Sequence, residues 1–294
     1  MSLRDVALAT LVMLIWGVNF AVAKTGLMEL PPLLMMTVRF TLVAAVLVPF
    51  VRRPAIPLGQ LVGVSVTLGF LHFGLFFSGL NGTDAAAAAI VLQIQVPFAV
   101  IVAAILHEDR PGWRRILGIC IAFTGVALVL GRPEVESRFL SLLLILGAAL
   151  VWAVANFQIK AMGEVDGFAL NGWIALFAVP QLAVASLVLE DGQLAALASA
   201  GWRGYGAVLY MALLATMVAY GLWYTLIRRY PMSLVMPFTL LAPVIGVASG
   251  IVLLGEALSW HILLGGAATV AGVALIVLSR PQLVEPEAEA GGGP

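Results

Sequence analysis

The sequence predicts an all-α integral membrane protein: ten transmembrane helices arranged as two inverted five-helix repeats. Three observations predict it. Ten apolar stretches of roughly 20 residues fill the 294-residue chain with little between them, and about 20 apolar residues are what a helix needs to cross ~30 Å of hydrocarbon. The composition is 62% hydrophobic and only 10% charged, where a soluble domain carries about 25% charged residues. The second half also repeats the landmarks of the first in order.

The spans are predicted at Val6–Ala23, Pro32–Phe50, Leu58–Gly79, Ala85–Leu106, Arg115–Leu130, Leu140–Ala161, Phe168–Leu189, Gly204–Tyr224, Met232–Leu254 and Ile262–Leu278. The first ends on Ala21-Val22-Ala23, which looks like a signal-peptide cleavage site. Its short n-region, its Trp16 and Asn19, and the return of its pattern later argue for a retained span. The second holds Arg39 and the third His72 beside Phe73, Phe76 and Phe77. The fourth opens on Ala85 to Ala89, small enough for close helix approach, and carries Gln93, Gln95 and Pro97. Gly118 and Gly125 in the fifth, with Gly265 and Gly272 in the tenth, read as packing positions. The sixth carries Trp152 and Asn156, the eighth a row of tyrosines, and the ninth Pro243. Residues 281–294, rich in Glu, Ala and Gly, are expected to be a disordered tail.

Charge sets the orientation. With the N-terminus in the cytoplasm, Arg4, Arg52, Arg53, Arg110, Arg114, Arg115, Lys160, Arg228, Arg229 and Arg280 lie on that side, against Lys24, Arg132, Arg138 and Arg203 on the other. The positive-inside rule then places both termini in the cytoplasm. Lys24 and Lys160 lie near span ends, where they can snorkel. No basic stripe for nucleic acid is present. The single Cys120 excludes an intramolecular disulfide and a cysteine metal cluster, and is expected to be a small packing residue.

Trp16 to Lys24 reads Trp-Gly-Val-Asn-Phe-Ala-Val-Ala-Lys, and Trp152 to Lys160 reads Trp-Ala-Val-Ala-Asn-Phe-Gln-Ile-Lys. Pro97, Glu108, Trp113 and Gly125-Val126-Ala127-Leu128 are answered by Pro243, Glu256, Trp260 and Gly272-Val273-Ala274-Leu275. Five helices per copy is odd, so the second copy enters the membrane upside down, as in many secondary transporters. The repeats are placed at 1–131 and 132–280. With Arg39-Phe40 and Leu254-Gly255-Glu256 added, the chain resembles the drug/metabolite transporter superfamily, specifically EamA-type ten-helix carriers. Within them it looks most like the YddG-type aromatic amino-acid exporters. The resemblance covers about residues 5–280. It implies an inner-membrane carrier in a bacterium, handling a small molecule without a cofactor. Ten helices can enclose a path without a second copy.

The candidate substrate-binding residues follow from polar or aromatic chemistry inside the spans. Arg39 lies about 10 Å into its helix, and a charge there must face a cavity, a partner or the interface. It would clamp a carboxylate, or else cap helix carbonyls. His72 is the one group within a span that titrates near neutral pH. It would bind substrate, carry a proton, or hydrogen-bond a neighbouring helix. Trp16, Asn19 and Phe20 share a face at i, i+3, i+4, and Trp152 and Asn156 repeat it. Tyr210, Leu214, Met217, Tyr220 and Tyr224 form a stripe at helical spacing, and with Phe76 they suit an aromatic substrate. Gln93 shares a face with Pro97, while Gln95 lies about 200° away.

No Asp or Glu is expected inside a span, which argues against a proton/cation antiporter. Glu108 and Glu256 are expected to pair with basic groups at helix ends. Enzyme signatures are absent: there is no metal-spaced His or Cys pair and no phosphate loop. The expected function is export of aromatic or other neutral amino acids and related metabolites by alternating access. The first four helices of each repeat would surround a central cavity, and Pro97, Pro243, Gly17 and Gly79 would flex. The alternatives are a carrier of other organic or phosphorylated metabolites, which would want several cavity cations, and a non-transporting membrane assembly protein.

Overall fold

The computed structural model describes residues 1–106, 111–131, 136–230 and 232–279. Among these every regular element is helical. Ten helices are long and apolar enough to span a bilayer: α1 (Leu3–Leu27), α2 (Pro32–Phe50), α3 (Leu58–Asn81), α4 (Ala85–Ile105), α5 (Trp113–Leu130), α6 (Arg138–Ala161), α7 (Gly167–Leu189), α8 (Trp202–Ile227), α9 (Met236–Leu254) and α10 (Trp260–Leu278). The face carrying the N-terminus is called the near face; odd-numbered helices end at the far face. The connection between α7 and α8 carries a short helix of its own, Gln193–Ser199. Glu108, Arg132 and the 281–294 tail lie outside the described residues.

Packing reveals the inverted repeat. α1 packs on α8 and α9, and α6 packs on α3 and α4. α2 packs on α7 and α8, and α7 on α2 and α3, while α4 meets α9 and α5 meets α10. Exchanging each helix for its counterpart five places on returns the same neighbours, as a two-fold axis in the membrane plane requires. The irregular turns obey it too. π-helical segments occur at Ser65–His72 in α3 and Tyr210–Val218 in α8. 3-10 turns occur at Leu92–Ile94 and Met236–Leu240, ahead of Pro97 in α4 and Pro243 in α9. Neither five-helix copy packs as a body by itself, because α1 and α6 each insert among helices of the other copy.

α5 and α10 form a pair outside this core, joined through glycine. A Cβ on Gly125 would stand 2.5 Å from the Thr269 backbone nitrogen, and one on Gly272 at 2.5 Å from that of Ala122. Only hydrogen fits between these backbones, the usual small-residue solution where lipid supplies no hydrophobic drive for helix association. Cys120 differs from expectation: it points outward from α5 beside exposed Ile116 and Leu117. A thiol on the lipid-facing side of α5 needs no protein partner. Gly17 and Gly79, expected to flex, sit at tight helix crossings. A Cβ would meet the Ile245 side chain in one case and the Ser141 carbonyl in the other, both at 2.5 Å.

Candidate functional site

Arg39 is the centre of the site. It lies on α2 and is 5% exposed. Its guanidinium stands over three rings, with Cζ 4.9 Å from the centre of Phe73, 5.5 Å from Phe40 and 5.9 Å from Phe77. All three fall within the ~6 Å reach of cation–π attraction. Nη2 donates to the Thr216 hydroxyl at 3.0 Å, and Nη1 lies 3.8 Å from the Met36 sulfur. Thr216 is in turn oriented by its own bond to the Met211 carbonyl at 2.8 Å. That bond reaches back five residues, and the π-helical segment of α8 makes room for it. Nε is buried without a partner.

The rings and the hydroxyl lower the cost of the buried charge but do not neutralise it. Among the described residues no carboxylate lines this space. A cavity of about 20 Å³ opens beside the guanidinium, bounded by Val43, Leu68, Asn171, Ile174, Thr216 and Tyr220. That is room for about one water. It lies between α2, α3, α7 and α8 and reaches toward the near face, since Asn171 is only about 6 Å along α7 from its start. Four of the eight helices expected to surround a central cavity line this space; α1, α4, α6 and α9 contribute none of its walls.

Aromatic packing fills the space toward the far face. Phe20 of α1 meets Phe76 edge-on at 5.9 Å, and Phe76 meets Phe77 at 5.0 Å. His72 lies flat against Phe76 at 6.3 Å and edge-on to Phe73 at 4.8 Å. Its Nδ1 is 2.9 Å from the Ala148 carbonyl of α6. A carbonyl only accepts, so Nδ1 carries the proton of this bond.

The remaining candidates divide between helix contacts and the helix surface. The Trp16 indole donates to the Ala215 carbonyl at 3.0 Å and packs on Tyr220 at 5.1 Å. Tyr210 donates to the Ile15 carbonyl at 2.9 Å. Both tie α1 to α8. Tyr220 reaches the cavity and both Tyr210 and Tyr220 meet α1, but Leu214 is exposed, so the five-residue stripe is not one face. The side chain of Tyr224 lies outside the described residues. The Asn19 amide oxygen is buried without a partner. Asn156 bonds back to the Trp152 carbonyl at 2.8 Å, and Gln93 lies half-buried in the 3-10 turn of α4. Thr216 and Asn171 were missed by sequence reasoning. Thr216 lies four residues before Tyr220 and could have been found on that face. Asn171 stands alone and gave no pattern.

Carboxylates collect at the far face, each closing the start of a helix from the opposite half. Glu29 accepts from Gly201 N at 2.9 Å and Gly204 N at 2.7 Å, at the start of α8. Glu190 accepts from Leu33 N and Leu34 N at 2.7 and 3.0 Å, at the start of α2. Glu256 accepts from Ala85 N and Ala86 N at 2.6 and 2.9 Å, at the start of α4. Each satisfies two of the four N–H groups a helix start leaves open. Glu256 was expected to pair with a basic group; its hydrogen bonds come from backbone donors, with Lys24 near enough to attract it electrostatically. Lys24 donates to the Leu80 and Asn81 carbonyls at the end of α3, and Arg138 pairs with Asp84. At the near face Asp5 corrects the expectation of carboxylate-free spans. Helix α1 begins earlier than expected, and Asp5, 4% exposed, is bonded by Tyr230 and Arg229.

A buried cation lining a closed space in a ten-helix inverted repeat suits a carrier, and comparison with known proteins decides the family. The EamA-like transporter family model matches residues 4–131 and again 139–278. The chain belongs to that family. Its relatives include proteins named "Probable amino-acid metabolite efflux pump" in Escherichia coli K12 and Salmonella typhimurium LT2. They are 36% and 37% identical over 283 residues, covering 93% of this chain and 94% of each relative. A solved crystal structure superposes with a TM-score of 0.65 at 20% identity, covering 94% of this chain and 96% of that one, which supports the fold. This EamA-family chain is a multi-pass membrane protein of a transporter family whose substrate is a small molecule.

Proposed function

We propose that this chain is a secondary carrier of a bacterial inner membrane, and not an enzyme. It exports neutral amino acids, aromatic ones included, and related metabolites. Both termini face the cytoplasm, so the near face is cytoplasmic. The observation that carries the reading is Arg39: a buried guanidinium with a free donor, facing a small space between α2, α3, α7 and α8. It is placed to clamp the carboxylate these compounds share. The names of the Escherichia coli and Salmonella relatives support the same substrate class.

In this reading the far face is shut by the three glutamates and the Phe20–Phe76 contact, so the conformation is closed to the outside. Alternating access would separate two mixed bodies, α1/α8/α9 and α3/α4/α6, rather than the two sequence repeats. α1 and α8 are bonded near both ends and twice in between. α3 and α6 are tied by Thr67 to Gln158 at 2.5 Å and by His72 to Ala148. The test is uptake of radiolabelled phenylalanine and tryptophan into proteoliposomes, for the wild type and Arg39→Gln. Saturable uptake by the wild type that is lost in the variant is expected. No uptake of either compound by folded protein would refute the amino-acid reading.

A further inference from the structure

We propose that, among the amino acids and related metabolites of the carrier reading, the Arg39 cavity prefers those of net charge −1 to the free amino acids: carboxylates without a free ammonium group, such as an N-acylated amino acid or a keto or hydroxy acid. The inference rests on the carrier reading above and names its substrate class.

Charge balance carries it. Arg39 is always protonated, and it is buried with Nε unpartnered. Carboxylates at the helix ends are committed elsewhere, Asp166 among them as the cap that accepts from Ala169 N at the start of α7. Asp5 is held by Arg229 and Tyr230, Asp84 by Arg138, and Glu29, Glu190 and Glu256 by helix starts at the far face. Among the described residues none lines the cavity. A monocarboxylate arriving at Arg39 makes a neutral complex, which a low-dielectric interior tolerates well. A zwitterion also supplies a carboxylate, but it brings an ammonium that leaves the complex with net charge +1. The site offers that ammonium little. Phe40, Phe73 and Phe77, the rings that would attract a cation, already face the guanidinium. The other polar groups of the lining, Asn171, Thr216 and Tyr220, are uncharged, so they offer the ammonium neutral acceptors and no counter-charge. An ammonium buried without a carboxylate loses its hydration uncompensated. Blocking the amine as an amide removes that cost.

The experiment uses the full chain in liposomes at zero membrane potential. It compares two matched pairs: N-acetyl-L-phenylalanine with L-phenylalanine, and N-acetyl-L-alanine with L-alanine. Each pair holds the side chain constant. Within each pair the acetylated acid is expected to half-saturate uptake at a concentration lower by about tenfold or more. Arg39→Gln should remove saturable uptake of the acetylated acids, and Arg39→Lys, which keeps a cation, should retain part of it. The wild-type comparison stands whether or not either variant folds. Equal or better uptake of the free amino acids in both pairs overturns the charge selection and leaves the carrier reading intact. No uptake of any of the four by folded protein overturns both.

Discussion

The closure of the far face makes a quantitative prediction at Glu256. Its two carboxylate oxygens each take one N–H at the start of α4, Oε1 from Ala85 and Oε2 from Ala86. Glu256→Ala removes both acceptors and leaves both donors to water. Loss of a helix N-cap costs about 1–2 kcal/mol, and a charged acceptor lies at the upper end. About 2 kcal/mol corresponds to about a thirtyfold change in an equilibrium constant. Glu256→Gln keeps one acceptor oxygen, so it should cost about half, roughly a fivefold change. Because the bonds join α9 of one half to α4 of the other, the cost falls on the closed arrangement. The open arrangement should therefore gain population. The assay places a single cysteine at Asn19, in a Cys120→Ala background, behind the Phe20–Phe76 contact. A membrane-impermeant maleimide is applied from the far face. Labelling should accelerate about thirtyfold in Glu256→Ala and about fivefold in Glu256→Gln. Equal rates in all three proteins would refute the latch. Equal acceleration in both variants would refute the two-oxygen account.

Three further outcomes follow from the packing. His72→Ala should leave any response to a pH gradient unchanged while lowering stability by about 1–3 kcal/mol, because His72 is packed among rings and bonded to Ala148. Loss of gradient-dependent uptake in the variant would make His72 the coupling group. Gly125→Leu should destabilise the α5–α10 pair by 3 kcal/mol or about that, since the new side chain begins 2.5 Å from a backbone nitrogen; a melting curve in detergent like that of the wild type would contradict the crossing. Trp16→Phe should cost about 1 kcal/mol of stability by deleting the bond to Ala215 while keeping most of the packing on Tyr220. A substantially larger fall in transport than in stability would instead place Trp16 on the substrate path.

Sequence alone determined the ten spans, the two copies and the depth of Arg39. The physical reason is that lipid imposes those features locally. Every spanning segment must satisfy its own backbone bonds and present apolar side chains over a set length, so hydropathy reads out helices directly. An arginine seven residues into such a segment is conspicuous because hydrocarbon makes it costly. The glycines that join α5 to α10 were legible for the same reason, since only small residues let helices approach closely in lipid.

Only the tertiary structure decided what the polar groups do. Thr216 lies 177 residues from Arg39, and no local pattern links them. Trp16 and Tyr210 carry the chemistry of a binding face, yet their polar atoms meet carbonyls of the facing helix. The five-residue tyrosine stripe assumed one face, but its Leu214 is exposed. Glu256 was expected to pair with a basic group and Glu29 and Glu190 drew no reading at all, until the fold set each against an open helix start. Apolar burial is a property of each segment, whereas the partner of a buried charge or donor depends on which helices the fold brings together.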